Sequence, residues 1–187
     1  PNFAALRVAS GYMKQAVNDL DGAVTEFAEA LRCDPRCIGA HLGIGVIQNQ
    51  RQLREEANRH FESVLRIDPN YAPAHYFVGL NLRMAGRMAE AESHVNLGLA
   101  LDPNHRPLIQ LRLESRLERN EHDAALADFR RLLDLQPNDP GTLHRALTLH
   151  RKLGRLPEGL ALCDAVIARL PGSERARLAR GDLLAEM

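Results

Sequence analysis

The chain has 187 residues, and its 24 lysines and arginines are balanced by 24 aspartates and glutamates, so the formal net charge is zero. This balance argues against binding along a nucleic-acid backbone, which requires a basic face, and we expect no nucleic-acid partner. The longest stretch without a formal charge, 37–50, is too short to cross a bilayer, so we expect no membrane span. Three cysteines are too few for a disulfide framework.

Prolines recur at a constant interval of 34 residues, at positions 35, 69, 103, 137 and 171. Such self-similarity is the signature of a repeat protein. The interval defines five repeats, 4–37, 38–71, 72–105, 106–139 and 140–173, followed by a remainder, 174–187. The repeat position of a residue is its number, from 1 to 34, within its own repeat.

Each repeat contains two apolar patches with the 3.6-residue period of a helix, and a turn signal separates the two patches near repeat position 15. The predicted breaks are Asn18, Gln52, Gly86, Asn120 and Gly154. The proline at position 32 cannot continue the second helix and ends it. One pair of helices cannot cover its own apolar face, so the pattern predicts an all-α solenoid in which neighbouring pairs stack.

Further positions follow the same period. Position 8 carries Gly11, Gly45, Gly79 and Gly181; position 20 carries Ala23, Ala57, Ala91, Ala125 and Gly159; position 24 carries Phe27, Phe61, Val95, Phe129 and Cys163. With this pattern the chain resembles tetratricopeptide-repeat proteins of bacterial type. The resemblance implies a right-handed superhelical solenoid of helix-turn-helix repeats. Leu113 and Leu147 replace the glycine in the fourth and fifth repeats, where we expect looser or shifted helix packing.

We expect residues 1–187 to form a single array. We expect the remainder, 174–187, to be a partial sixth repeat or a capping helix. We also expect the chain to be a piece of a longer protein.

Cys33-x3-Cys37-x3-His41 is the best metal-binding candidate in the sequence, but it lacks the second ligand pair of a common zinc site. The equivalents of Cys33 are Ile67, Leu101 and Leu135, so we expect Cys33 to be a small core residue. His41 and His75 share repeat position 4, which is expected to face the second helix of its own repeat. We predict no metal, no cofactor and no catalytic residues.

In proteins that this chain resembles, repeat positions 2, 5, 9, 12 and 13 of the first helices line a concave groove. Carried over, the resemblance implies a partner-binding groove formed by Tyr12, Leu42, Val46, Asn49, Tyr76, Leu80, Arg83, His144, Arg151 and Lys152. The alternative is that Leu42, Val46 and Leu80 only pack between adjacent first helices. The fifth repeat is the only basic one, and Arg151 and Lys152 suggest an acidic partner segment there.

The leading functional hypothesis is a scaffold, without enzymatic activity, that holds a peptide or helix of another protein in this groove. One alternative is the non-catalytic repeat region of a larger enzyme, of glycosyl- or sulfotransferase type, which presents substrate or mediates dimerisation. The other is an assembly factor of the cell envelope. A further hypothesis is that the chain associates with copies of itself to form a homo-oligomer. The expected compartment is the cytoplasm, or the periplasm or envelope if the full-length protein carries a signal.

Overall fold

A computed structural model describes residues 3–187, and within that range the chain forms eleven α-helices and no strand. The chain divides into two compact units, Pro1–Pro103 and Asn104–Met187. The helices of the first unit are α1 Phe3–Ala16, α2 Leu20–Cys33, α3 Ile38–Gln50, α4 Arg54–Ile67, α5 Ala72–Met84 and α6 Met88–Leu101. Those of the second are α7 Arg106–Glu118, α8 His122–Leu135, α9 Pro140–Lys152, α10 Leu156–Arg169 and α11 Glu174–Glu186. The predicted all-α helical-repeat class is confirmed, with two helices in each 34-residue repeat.

The five predicted breaks are the points where each first helix ends and the chain turns back. All five adopt positive φ, between 57° and 77°: Asn18, Gln52, Gly86, Asn120 and Gly154. Glycine and asparagine tolerate this left-handed conformation, whereas it costs other residues about 1–2 kcal/mol. Gln52 is therefore the one strained residue of the set.

Two phenylalanines fill the spaces between helices in the first unit. The ring of Phe27 is fully buried and lies directly against Gly11 of α1 and Gly43 of α3. Phe61 lies against Gly45 of α3 and stacks on Phe77 of α5, with ring centroids 4.7 Å apart. Phe61 thus fills the wedge between the second and third repeats. The glycines are required because a methyl group in their place would overlap these rings.

The second unit packs with larger side chains at the glycine position. Leu113 and Leu147 are both buried, and the backbones of α7 and α8, and of α9 and α10, are less closely apposed than those of α1 and α2. This difference follows from volume, because a leucine side chain holds apart two helices that a glycine lets approach. The predicted looser packing of repeats four and five is confirmed.

In each of the first four repeats, the residue at repeat position 23 lies on the second helix and forms a polar contact with the first helix of the same repeat. In the first repeat, Glu26 accepts hydrogen bonds from Arg7 at 2.9 Å and from Lys14 at 3.1 Å. In the fourth repeat Asp128, which is buried, binds two arginines of α7: Arg112 and Arg116, each at 2.6 Å. A charge removed from water requires such pairing, so these contacts fix which faces of the two helices meet.

Candidate functional site

In the second and third repeats, position 23 carries a histidine, and two histidine pairs take the place of the ion pairs. Nδ1 of His41 lies 3.0 Å from Nδ1 of His60, and Nδ1 of His75 lies 3.0 Å from Nδ1 of His94. The expectation that position 4 faces the second helix is confirmed. Sequence reasoning missed the partner histidines, although the same separation of 19 residues occurs twice.

The hydrogen bonds of each pair define its neutral form. Nε2 of His41 donates to the Pro35 carbonyl at 3.1 Å, which leaves Nδ1 as the acceptor for the Nδ1–H of His60. The second pair repeats this arrangement with the Pro69 carbonyl at 3.0 Å. Burial lowers the pKa of His60 and of His94, and the charge of the neighbouring histidine lowers each further. Burial therefore disfavours the charged forms of His60 and His94, and each pair connects the two helices of a repeat.

The cysteines do not join these histidines in a metal site. Both nitrogens of His41 are engaged by the His60 and Pro35 contacts, and no group of three or more His, Cys, Asp or Glu side chains among residues 3–187 could hold a metal ion. The expectation that Cys33 is a core residue is wrong, because Cys33 is exposed at the last turn of α2. Cys163 is buried, and burial raises the pKa of its thiol to about 11, so it is not activated as a nucleophile.

The predicted groove residues of the first unit lie on the first helices α1, α3 and α5, and none of the seven is fully buried. Tyr12 is not a free anchor: its hydroxyl donates to the Gly39 carbonyl at 3.1 Å, and its ring lies edge-on against Phe27. Leu42 and Val46 are half-buried and pack against the core around Phe61. The alternative, in which Leu42 and Val46 only pack within the protein, therefore explains the buried part of each side chain. The rest of each side chain is exposed.

Polar groups on the same helices are positioned by a small amide network. Asn81, which is buried, donates from Nδ2 to Oδ1 of Asn49 at 2.9 Å and to Oδ1 of Asn58 at 2.8 Å. These bonds fix the orientation of the Asn49 side chain, whose Oδ1 accepts from Asn81. Tyr76, Leu80 and Arg83 are half-exposed on α5, and the Tyr76 ring contacts Phe77 edge-on at 5.0 Å.

The predicted residues of the second unit, His144, Arg151 and Lys152, all lie on α9. His144 lines two shallow pockets, of about 310 and 290 Å³. Arg151 lines the first of them and Lys152 the second. All three predicted residues of this unit therefore line pockets on the surface of α9.

The basic character of the fifth repeat is largely neutralised within the second unit. Four of its arginines form ion pairs with acidic residues of the same unit: Arg145 with Glu114, Arg151 with Glu186, Arg155 with Asp123 and Arg169 with Asp134. The Arg151 pair is bidentate, with Nε and Nη2 both within 3.0 Å of Glu186. Lys152 is exposed and forms no ion pair with any residue in the described range. An acidic partner would therefore have to compete with Glu186 for Arg151.

The fold, compared with solved structures, is that of tetratricopeptide-repeat proteins. The chain is similar to YrrB, described as a TPR protein with an unusual peptide-binding site, at 19% identity over 96% of this chain and 93% of that one, with a TM-score of 0.64. It is similar to TTC0263, a thermophilic TPR protein of Thermus thermophilus, at 21% identity over 97% and 99%, with a TM-score of 0.64. It is also similar to PilW, described as a type IV pilus biogenesis factor, at 18% identity over 97% and 92%, with a TM-score of 0.70.

No protein-family model matches the sequence, and no curated protein matches it. None of the helices in the described range is both long and apolar enough to pass through a bilayer.

Proposed function

Given a chain with the tetratricopeptide-repeat fold, we propose that it is a non-catalytic scaffold that binds a peptide or helix of another protein on the exposed face of its first helices. The observation that supports this most directly is the set of partly exposed side chains on α3 and α5, where aliphatic surface, an aromatic ring and polar groups stand close together. Mixed surfaces of this kind bind protein segments, because apolar area supplies affinity and a few fixed polar groups supply orientation.

We assign a different role in binding to each residue of this surface, on the basis of its contacts. Tyr76 is the proposed anchor, because tyrosine combines a large contact area with a polar end and is common among binding hot spots. Tyr12 is a second aromatic residue of this surface, and its hydroxyl donates to the Gly39 carbonyl. Asn49, oriented by Asn81, is positioned to donate to a backbone carbonyl of the bound segment. Leu42, Val46 and Leu80 supply the apolar floor.

A photo-crosslinking amino acid placed at Leu80 should capture the partner in the source cell, whereas the same group at Leu97 should not. Leu97 is exposed on α6, a second helix, and is the matched control. With the captured partner purified, Tyr76→Ala should weaken binding by at least about 2 kcal/mol, or about 30-fold in Kd, and Leu97→Ala should leave it unchanged.

In the second unit, Lys152→Glu should slow the association of an acidic partner segment and weaken its salt dependence. Recovery of the same partners at equal yield by wild type and Tyr76→Ala would place binding away from the first helices.

A further inference from the structure

The pocket of about 290 Å³ beside α9 combines an apolar lining with a basic rim. Its apolar lining consists of Leu117, Phe129 and Leu149. Exposed basic side chains also line it: His144, Arg145 and Lys152. All of these residues belong to α7, α8 and α9, so three consecutive helices of the second unit form the whole pocket.

The first two repeats fill the equivalent space with rings of their own. In the first repeat Tyr12, at repeat position 9, lies edge-on against Phe27, with ring centroids 5.1 Å apart. Next to the second repeat's Phe61, the residue at position 6 of the following repeat is Phe77, and the two rings stack at 4.7 Å. In both cases a second ring completes the core around the phenylalanine at position 24.

Beside Phe129, the phenylalanine of the fourth repeat, both of these positions carry charged residues. Position 9 is Glu114, and position 6 of the following repeat is Arg145. The guanidinium carbon of Arg145 lies 5.5 Å from the centroid of the Phe129 ring, and Arg145 forms an ion pair with Glu114 at 2.7 Å. Their side chains are 47% and 39% exposed, so water screens the attraction between them. Phe129 is therefore covered by a weak surface ion pair where the other repeats place a ring.

The lining of the pocket selects the chemistry of its occupant. An apolar side chain would contact Leu117, Phe129 and Leu149 and lose its own contact with water. Lys152 stands exposed at the rim without an ion pair to any described residue, so a carboxylate next to that apolar side chain would find a free cation. Small-molecule sites usually have at least about 300 Å³, and a pocket below that size suits one large side chain better.

We propose that this pocket binds an apolar side chain, of leucine or phenylalanine size, from the partner's segment, and that an acidic residue close to it in that segment pairs with Lys152. This proposal rests on the proposed function and specifies the chemistry of the segment that the scaffold recognises. The ion pair between Glu114 and Arg145 would form the edge of the occupied pocket.

The test is a selection of phage-displayed random seven-residue peptides on the full chain, with depletion on Glu114→Tyr in every round. This variant copies Tyr12 of the first repeat and should cover Phe129 with a ring. Depletion removes peptides that bind elsewhere, including those that bind the first helices of the other unit. We expect the remaining peptides to be enriched in an apolar residue close to Asp or Glu.

A selected peptide, labelled with fluorescein and titrated by anisotropy, then separates the apolar contact from the charge. Glu114→Tyr should weaken binding at least tenfold, although the loss of a negative charge would strengthen a purely electrostatic contact. Lys152→Glu should weaken binding at least threefold, with a difference that shrinks as salt is added. Arg130→Glu is the matched control, because Arg130 is exposed on α8 and does not line the pocket, and it should leave the Kd unchanged.

A second pocket variant keeps the test valid if the new tyrosine disturbs the fold. Leu117→Gln puts a polar group into the apolar lining and should also weaken binding at least tenfold. Circular dichroism would confirm that each variant is folded.

Three results would overturn the proposal. The first is that no peptide remains after depletion, or that the remaining peptides lack the apolar residue or the acid. The second is equal binding by wild type and Leu117→Gln. The third is a dimer in sedimentation equilibrium that Glu114→Tyr disperses, which would assign the pocket to a second copy of the chain. The crosslink at Leu80 and the Tyr76→Ala variant decide the proposed function separately, so the two proposals can fail independently.

Discussion

Three glycines at repeat position 8 offer an internal comparison of how closely helices pack. A Cβ at Gly45 would lie 2.6 Å from Cε1 of Phe61, a ring already stacked on Phe77. At Gly79 the nearest atoms would be 3.4 Å away, because the aromatic position of that repeat carries Val95. At Gly181 nothing lies within 4 Å. The same change to alanine therefore meets an overlap, an ordinary contact and open space.

Two opposing free energies decide the result. Replacing glycine by alanine within a helix stabilises it by about 1 kcal/mol. Overpacking a rigid core costs about 1–3 kcal/mol. We expect Gly181→Ala to raise the free energy of unfolding by up to about 1 kcal/mol and Gly79→Ala to be neutral or stabilising. Gly45→Ala should lower it by up to about 2 kcal/mol, since the Phe61 ring has no space to move into.

Urea unfolding followed by circular dichroism measures all three, and a double-mutant cycle identifies the cause. In a Phe61→Val background, which copies the valine of the third repeat, Gly45→Ala should no longer be destabilising, and the coupling energy should be about 1–3 kcal/mol. A coupling below about 0.5 kcal/mol, or a Gly45→Ala variant as stable as Gly79→Ala, would refute close packing against Phe61 as the reason for the glycine.

Two further predictions concern the histidine pairs and the strained turn. Because the folded state lowers the pKa of His60 and of His94, the unfolded chain binds more protons as pH falls below about 6.5, and stability should decrease from pH 7 to pH 5. Melting curves of His60→Gln with His94→Gln should show a weaker pH dependence than wild type, and an unchanged slope would contradict this origin. Gln52→Gly should raise the free energy of unfolding by about 1 kcal/mol in urea titration, because Gln52 holds a φ of 64° that glycine adopts without strain. Gly86→Gln, the reverse change at the same repeat position, should destabilise the chain, and a stable variant would contradict the argument.

The features that the sequence determined by itself are those that depend on neighbouring residues in the chain. The 34-residue period, the two helices of each repeat and the five turns at Asn18, Gln52, Gly86, Asn120 and Gly154 follow from helix periodicity and from residues that stop or reverse a helix. The burial of Phe27 and Phe61 was also predictable, because equal repeat positions have equal surroundings in a stack.

The tertiary structure alone decided which polar side chains meet. Partners such as His41 and His60, Asn49 and Asn81, or Arg151 and Glu186 come from different helices, and their pairing depends on rotamers and on the angle between those helices. The repeat register also failed for Cys33, which is exposed although its equivalents Ile67, Leu101 and Leu135 are apolar. Exposure depends on what packs over a residue, and Leu101, at the same repeat position as Cys33, is also exposed, so an apolar residue there does not mark a core position. A periodic pattern specifies the surroundings of an average repeat, whereas the contacts at the edges of a helix pair are specific to each repeat and arise only when the chain is folded.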